Sequence, residues 1–204
     1  MRQTELAALL RRAHEAEETV RELTAAGETV EQLALPGLEF RGARLTACRF
    51  VDCDFSRAGF VDVTFERCAF ETCRFCEAYF RRVRFDGCKA DGANFAAARL
   101  HETALADSSF RYANFTGSAW QRVEVRGCVL REAALSEVRL ARCVFAGSDL
   151  SGVDFFRTPL IGMDLSTCEI AGIMLSEDCA ELRGASIATH QAAELARLLG
   201  VKLV

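Results

Sequence analysis

Cysteine is the residue type with the greatest chemical potential in this chain of 204 residues, which contains 10 of them. Thiolates bind soft metals and exchange with disulfides, and the segment 73–76 (CRFC) has a C-x-x-C spacing that can serve either purpose. Five cysteines recur at one regular spacing or at multiples of it: Cys48, Cys68, Cys88, Cys128 and Cys168. A cysteine-based redox or metal protein is therefore one hypothesis.

Other arrangements typical of enzymes are missing from the sequence. The three histidines, His14, His101 and His190, are far apart, and no Ser, His and Asp group recurs on one face. The phosphate-binding motifs G-x-x-x-x-G-K-[ST] and G-x-G-x-x-G do not occur either. We therefore predict a protein that is not an enzyme and has no cofactor.

The cysteines follow a five-residue period that extends over 36–175. With Phe40 as the centre of a block, every fifth residue up to Leu175 is large and apolar, except Ala90. Two positions before a centre stands a small or medium side chain, and eight cysteines occupy that position: Cys48, Cys53, Cys68, Cys73, Cys88, Cys128, Cys143 and Cys168. Because side chains alternate along a strand, both positions should face the interior.

A period of five fits neither a helix nor a flat strand, so the remaining residues of each block must turn the chain. Ten of the 14 glycines fall at one of these turn positions, which suits a residue that tolerates positive φ. A corner in every block closes a square after four blocks. One turn of the chain is then four blocks long, and we expect about seven to eight rungs stacked about 4.8 Å apart.

This geometry offers a second interpretation of the cysteines. Ligands in a line about 4.8 Å apart do not form the tetrahedron that zinc requires. Cysteine also serves as a small buried apolar side chain, and alanine, valine and threonine take the same position in other blocks. In the C-x-x-C segment, Cys73 should face inward while Cys76 lies at a corner. We therefore favour a packing role and expect no metal site.

The blocks resemble those of pentapeptide-repeat proteins, which favour A-(D/N)-L-x-x. The segments that match best are 93–95 (ANF), 113–115 (ANF), 153–155 (VDF) and 163–165 (MDL). The resemblance covers 36–175 and implies an all-β solenoid, a right-handed quadrilateral β-helix. Arginine often replaces Asp or Asn before the centre, which departs from the family pattern.

The two ends depart from the period. Residues 4–25 are typical of a helix that Thr4 caps and Gly27 ends, and this helix would cover the first rung or bind a partner. After Leu175 two residues are inserted within 176–179, Leu182 and Ile187 become centres, and 189–199 is typical of a short helix. We predict an N-terminal helical cap and lead-in over 1–35, a β-helix over 36–187, and a C-terminal helix and tail over 188–204.

The apolar C-terminal segment needs a cover, because an exposed tail of this kind favours association. The resemblance implies a homodimer through this end, although the same residues could cover the last rung of their own rod. The candidates for either role are Leu195, Leu198, Leu199, Val201 and Leu203.

The distribution of charge along the sequence indicates which kinds of partner the chain could bind. The net charge is −4, but basic and acidic residues balance over 36–175. The resemblance includes proteins that protect DNA gyrase and topoisomerase IV by mimicking DNA, which implies a strongly acidic face. One late acidic group is a candidate interaction surface: Asp149, Asp154, Asp164 and Glu169. Direct nucleic-acid binding is not expected, because the sequence shows no net basic stripe.

We predict a non-enzymatic, rigid scaffold that binds a protein partner. The alternatives are a DNA-mimicking binder of gyrase or topoisomerase IV that gives resistance to topoisomerase poisons, and the redox or metal protein. The sequence has no apolar run long enough for a membrane span and no apolar signal core, so we expect a cytoplasmic protein that does not cross a membrane.

Overall fold

The computed structural model describes residues 4–198 and 200–202. Helix α1 (Glu5–Glu15) begins at Thr4, whose hydroxyl accepts a hydrogen bond from the amide of Ala7. The same hydroxyl donates to the carbonyl of Thr29 at 2.9 Å, and Leu6 and Leu10 are buried. The helix therefore packs on the start of the rod.

Seventeen short strands follow α1. In chain order they are β1 (Val20–Arg21), β2 (Thr24–Ala26), β3 (Thr29–Glu31), β4 (Glu39–Arg41), β5 (Arg44–Thr46), β6 (Arg49–Val51), β7 (Gly59–Val61), β8 (Thr64–Glu66), β9 (Ala69–Glu71), β10 (Tyr79–Arg81), β11 (Arg84–Asp86), β12 (Arg99–His101), β13 (Ala104–Ala106), β14 (Ala119–Gln121), β15 (Glu124–Arg126), β16 (Arg139–Ala141) and β17 (Val144–Ala146). Each strand pairs in parallel with the strand four blocks away, as Phe40 does with Phe60.

The strands form the sides of an all-β solenoid. The first side consists of β1, β4, β7, β10, β12, β14 and β16, and the second of β2, β5, β8, β11, β13, β15 and β17. The third side contains β3, β6 and β9 and continues through isolated bridges from Ala69 to Glu169. The fourth side is a series of isolated bridges from Ala34 to Met174. Since the chain visits the four sides in turn, the first side lies opposite the third.

Apolar rings fill the interior, which confirms the predicted inner columns. Phe50, Phe70 and Phe110 are each no more than 2% exposed. Phenylalanine rings of consecutive turns stack within a column, with centroids 5.4 Å apart for Phe50 and Phe70. Neighbouring columns meet edge to face, as at the 5.2 Å contact between Phe65 and Phe70. Such contacts add to the free energy gained by burying the rings.

Ala90 is the one small centre between Phe40 and Leu175. It is fully buried, and the ring of Phe110 in the following turn lies 6.0 Å from Phe85 and 6.1 Å from Phe95. These rings pack across the space that a large side chain would occupy. The interruption in the sequence therefore leaves the stack of turns unbroken.

The corners use a left-handed backbone, but glycine supplies only some of them. Arg57, Asp62 and Arg67 occupy consecutive corners with φ of +59°, +57° and +52°. For a residue with a Cβ this conformation costs about 1–2 kcal/mol. Many corners of the rod therefore carry charged side chains. The stacking of the turns holds their backbone in this conformation.

The ladder begins earlier than the sequence predicts. Helix α1 ends at Glu15, and Glu17 has φ of +53°, so residues predicted to be helical form the first turn instead. Val20 already pairs with Phe40. The pattern is hidden here because Glu18 and Glu28 stand at positions that small residues occupy in later blocks.

At the C-terminal end the predicted insertion is present, and the ladder continues beyond it. Ser186 pairs with Asp164, and Leu182 and Ile187 pack against the core. A 3-10 turn (Thr189–Gln191) leads into helix α2 (Ala192–Leu198). Residue 199, the predicted end of this helix, lies outside the described residues.

Two buried polar side chains replace missing backbone partners at this end. The carboxylate of Glu181, 4% exposed, accepts hydrogen bonds from the amides of Arg157 (2.8 Å) and Ser176. Gln191, 3% exposed, donates to the carbonyls of Leu165 (2.9 Å) and Cys168 (2.6 Å). Buried peptide groups need such partners when a ladder stops.

Candidate interaction surfaces

The inner cysteines are positioned for packing. Eight of the ten are buried, while Cys76 and Cys179 are half-buried. The Cys73 thiol donates to the carbonyl of Phe50 at 3.5 Å, and Cys76 lies at the surface of the fourth side, so the C-x-x-C pair is divided between interior and exterior. Burial raises the pKa of Cys128 to about 11. Such a thiol is protonated at neutral pH and reacts slowly.

The described residues contain no group of three or more His, Cys, Asp or Glu side chains arranged to hold a metal ion. In residues 4–198 and 200–202, no helix has both the length and the apolar character needed to span a bilayer.

The four acidic candidates do not form one face. Asp149 and Glu169 are neighbours on the third side, Asp154 lies on the fourth side, and Asp164 continues the second side. Three of them brace the turn that follows, because their Oδ1 atoms accept hydrogen bonds from the amides two residues on: Asp149, Asp154 and Asp164. Much of this acidic group therefore has a structural use.

Asp149 is also held by a cation. Its burial opposes ionisation, but the hydrogen bonds from Ser151 and from Arg131, at 2.6 Å, outweigh that effect and lower its pKa. At neutral pH this carboxylate is therefore ionised, and the guanidinium of Arg131 largely offsets its charge.

The C-terminal candidates divide into two groups. Leu195 packs against the core of its own rod, whereas Leu198 is 39% exposed and Val201 is 50% exposed. Leu195 and Leu198 line a shallow groove together with Leu182 and Arg183. Leu199 and Leu203 lie outside the described residues. Leu195 thus covers the last turn of its own rod, whereas Leu198 and Val201 remain exposed for contact with another molecule.

The outer surface of the first side is basic. Taken with the corner that follows each strand, this side carries eight arginines: Arg21, Arg41, Arg81, Arg82, Arg99, Arg122, Arg139 and Arg142. It carries four carboxylates: Glu22, Glu39, Asp62 and Glu102. Arg82 binds Asp62 at 2.6 Å. Arg122 binds Glu102 at 2.7 Å and donates to Nε2 of His101 at 2.7 Å.

The third side has the opposite balance. Its basic residues, counted in the same way, are Arg49, Lys89, Arg111 and Arg131. Its seven acidic residues are Glu31, Asp52, Glu71, Asp91, Glu132, Asp149 and Glu169. Sequence reasoning missed this polarity because charges were summed along the chain. The signal was available, since grouping the charges of every fourth block separates the sides.

Two family models match parts of this chain. The family described as "Pentapeptide repeat region" matches residues 58–133, and "Pentapeptide repeats (8 copies)" matches residues 39–75 and 126–160. A search of curated protein sequences gives no match.

Solved structures of two proteins are similar to this chain. Full-length QnrB1, described as a plasmid-mediated fluoroquinolone resistance protein, has a TM-score of 0.51 and 19% identity over 87% of this chain and 100% of its own. HetL, involved in heterocyst differentiation regulation in Nostoc sp. strain PCC 7120, has a TM-score of 0.33 and 18% identity over 88% of this chain and 95% of its own. At 19% identity, the similarity to QnrB1 concerns the fold alone.

Proposed function

Because the chain belongs to the pentapeptide-repeat family, we propose that it is a non-enzymatic scaffold, a rigid rod whose outer sides bind a protein partner. The observation that supports this function is the division between a filled apolar interior and long charged sides. A rod of this kind offers repeated contacts over its length but no enclosed reaction site. The proposal includes a cytoplasmic location and no cofactor.

Partner capture tests this function. The immobilised full chain should retain a protein from the cytosol of its source in a saturable amount, and soluble full chain should compete it away. The matched control is Phe75→Asp, which places a charge in the filled interior and should unfold the rod. Equal retention by the unfolded control would contradict the proposal, because binding would then not require the folded sides.

A homodimer through the C-terminal end is part of the proposal. It is supported by the exposed Leu198 and Val201 beside the groove that contains Leu182. Apolar side chains of this kind favour burial against a second copy. Sedimentation of the wild type should give a dimer, and Leu198→Glu with Val201→Glu should give a monomer of unchanged circular dichroism. A monomeric wild type at micromolar concentration would refute this part.

A DNA-mimicking binder of gyrase or topoisomerase IV is the second candidate. The seven carboxylates of the third side favour it, because they extend from Glu31 to Glu169 along most of the rod. The purified chain should then relieve inhibition of gyrase by a fluoroquinolone. Replacement of Asp52, Glu71 and Glu132 by their amides should abolish that relief. No relief at micromolar protein would remove this candidate.

A further inference from the structure

We propose that the first side is a docking surface for an extended acidic segment of the partner protein. This inference rests on the scaffold function and names the chemistry of one of its contacts. It depends on six exposed arginines, called here the arginine stripe: Arg21, Arg41, Arg81, Arg99, Arg139 and Arg142.

The stripe runs along the rod with two gaps, because the outward positions of β7 and β14 carry no arginine. The register pairs Arg21 with Arg41, Tyr79 with Arg99, and Arg81 with His101. Six steps of one turn separate Arg21 from Arg139, which gives a length of about 29 Å at the usual strand spacing. The stripe is thus a linear array along one side of the rod, with five arginines on the strands and Arg142 at the corner after β16.

The arginines of the stripe are not held in ion pairs, although Asp62 attracts Arg41 and Arg81 at longer range. In the described part of the chain, none of the six arginines forms an ion pair. The carboxylates closest to the middle of the stripe, Asp62 and Glu102, are already bound by Arg82 and Arg122. Like charges on paired strands, as at Arg21 and Arg41, destabilise a sheet. A bound polyanion would remove that repulsion.

The composition of the stripe favours carboxylates or phosphates as ligands. All six residues are arginines, whose planar guanidinium groups bind both kinds of oxyanion through two parallel hydrogen bonds. Lysine, which binds such groups as a point charge, is absent from the described outward positions of this side. The surface therefore suits a ligand with repeated oxyanions.

The edges of the side limit the width of the ligand. Asp62 and Glu102 lie along one corner, and Glu77 and Glu137 lie along the corner that precedes the side. A double helix is wider than one sheet of such short strands and would extend over both corners, beyond the stripe. A single extended chain would lie within the side, where Glu39 is the one outward carboxylate of the described strands.

Ring composition favours a peptide over a single-stranded nucleic acid. Proteins that bind single strands stack successive bases on aromatic side chains. Among the described outward residues of the first side, only Tyr79 and His101 carry aromatic rings, and Tyr79 is 36% exposed. Aspartate and glutamate side chains need no such platform. We therefore assign the stripe to an acidic peptide segment.

The test uses the full chain at low salt and a fluorescein-labelled dodecaglutamate, which spans the stripe when extended at about 3.3 Å per residue. Fluorescence anisotropy should saturate, and the binding should disappear at about 1 M salt because exposed charges are then screened. The variant Arg81→Gln, Arg99→Gln, Arg139→Gln should weaken binding about tenfold, since exposed charge contacts each contribute modestly.

The matched control removes the same charge from the second side. It replaces Arg44, Arg67 and Arg126, each of which already has a carboxylate partner, by glutamine. Its affinity should change less than about twofold. Unchanged circular dichroism in both variants would show that the fold is retained.

Four results would overturn the inference. The first is no saturable binding of oligoglutamate, and the second is an equal loss in the two variants. The third is tighter binding of an oligothymidylate of matching length, which would make nucleic acid the ligand. If a partner captured from cytosol binds the stripe variant as well as the wild type, the scaffold function stands and this surface is not its site.

Discussion

The first and third sides of the rod have similar interiors and different exteriors. Phe80 on the first side and Phe70 on the third are both buried within stacked rings. Outside, the first side has eight arginines and four carboxylates, whereas the third has four basic and seven acidic residues. The five-residue period constrains inward positions only, so each side can acquire its own charge while the backbone stays the same.

The two sides also differ in how their charges are used. On the third side, Arg49 binds both carboxylate oxygens of Glu71 at 2.7 Å, and Arg131 binds Asp149 at 2.6 Å. The arginine stripe of the first side has no such partners in the described residues. Glu71 and Asp149 of the third side therefore contribute to the local structure, whereas the stripe arginines of the first side remain available for a ligand.

The largest predicted effect tests whether the two interiors are equivalent. Phe80→Ala and Phe70→Ala should each lower the free energy of unfolding by about 3–5 kcal/mol, because each removes a buried ring and leaves a cavity. Urea unfolding measures both changes. Val61→Ala, at an outward position of the first side, is the control and should cost less than about 0.5 kcal/mol. Markedly unequal losses of unfolding free energy for the two phenylalanine variants would show that the two interiors are not equivalent.

A second prediction concerns the end of the first side. Glu181→Ala should cost about 2 kcal/mol, because the amides of Arg157 and Ser176 lose a buried partner. Glu181→Gln should cost less, since its amide oxygen still accepts one of these bonds. Urea unfolding of the two variants checks the order. Equal losses would mean that the negative charge, rather than the acceptor, is needed.

A third prediction uses pH. The hydrogen bonds from Arg82 and Arg49 lower the pKa of Asp62 on the first side and of Glu71 on the third. Carboxyls with a lowered pKa in the folded state stabilise it above their unfolded pKa of about 4, and this contribution is lost as pH falls further. The urea midpoint should therefore be steady from pH 7 to 5 and fall below about pH 4. Asp62→Asn should weaken this dependence. The control is Asp52→Asn, at an exposed residue that forms no ion pair within the described chain.

The smallest predicted effect sharpens the comparison. Neutralising the third side by Asp52→Asn, Glu71→Gln and Glu132→Gln should change the affinity for oligoglutamate less than about twofold, because these residues lie across the rod and beyond about one screening length. Anisotropy titration at physiological ionic strength measures it. A large gain in affinity would show that total charge, rather than the stripe, governs binding.

The fold could be predicted because its cause is local and repeated. Phe40 to Leu175 specify inward positions at a constant interval, and stacking the turns then follows from strand pairing. The first turn was missed because Ala25 is a small centre and Glu28 is charged where later blocks are apolar. The charged sides were missed because Arg81 and Arg99 are well separated in sequence and become neighbours only when the turns are aligned.

Helix α1 covers the N-terminal end of the rod. Each turn of the rod pairs with the next through its strand edges, so the first turn has an edge to which a further turn could pair. Thr4 and Glu28 tie the helix in place through the carbonyl of Thr29 and the amide of Leu6. Without helix α1, the unpaired edges of β1, β2 and β3 could pair with the strand edges of another molecule. One short helix thus helps to keep a finite particle from growing into a filament.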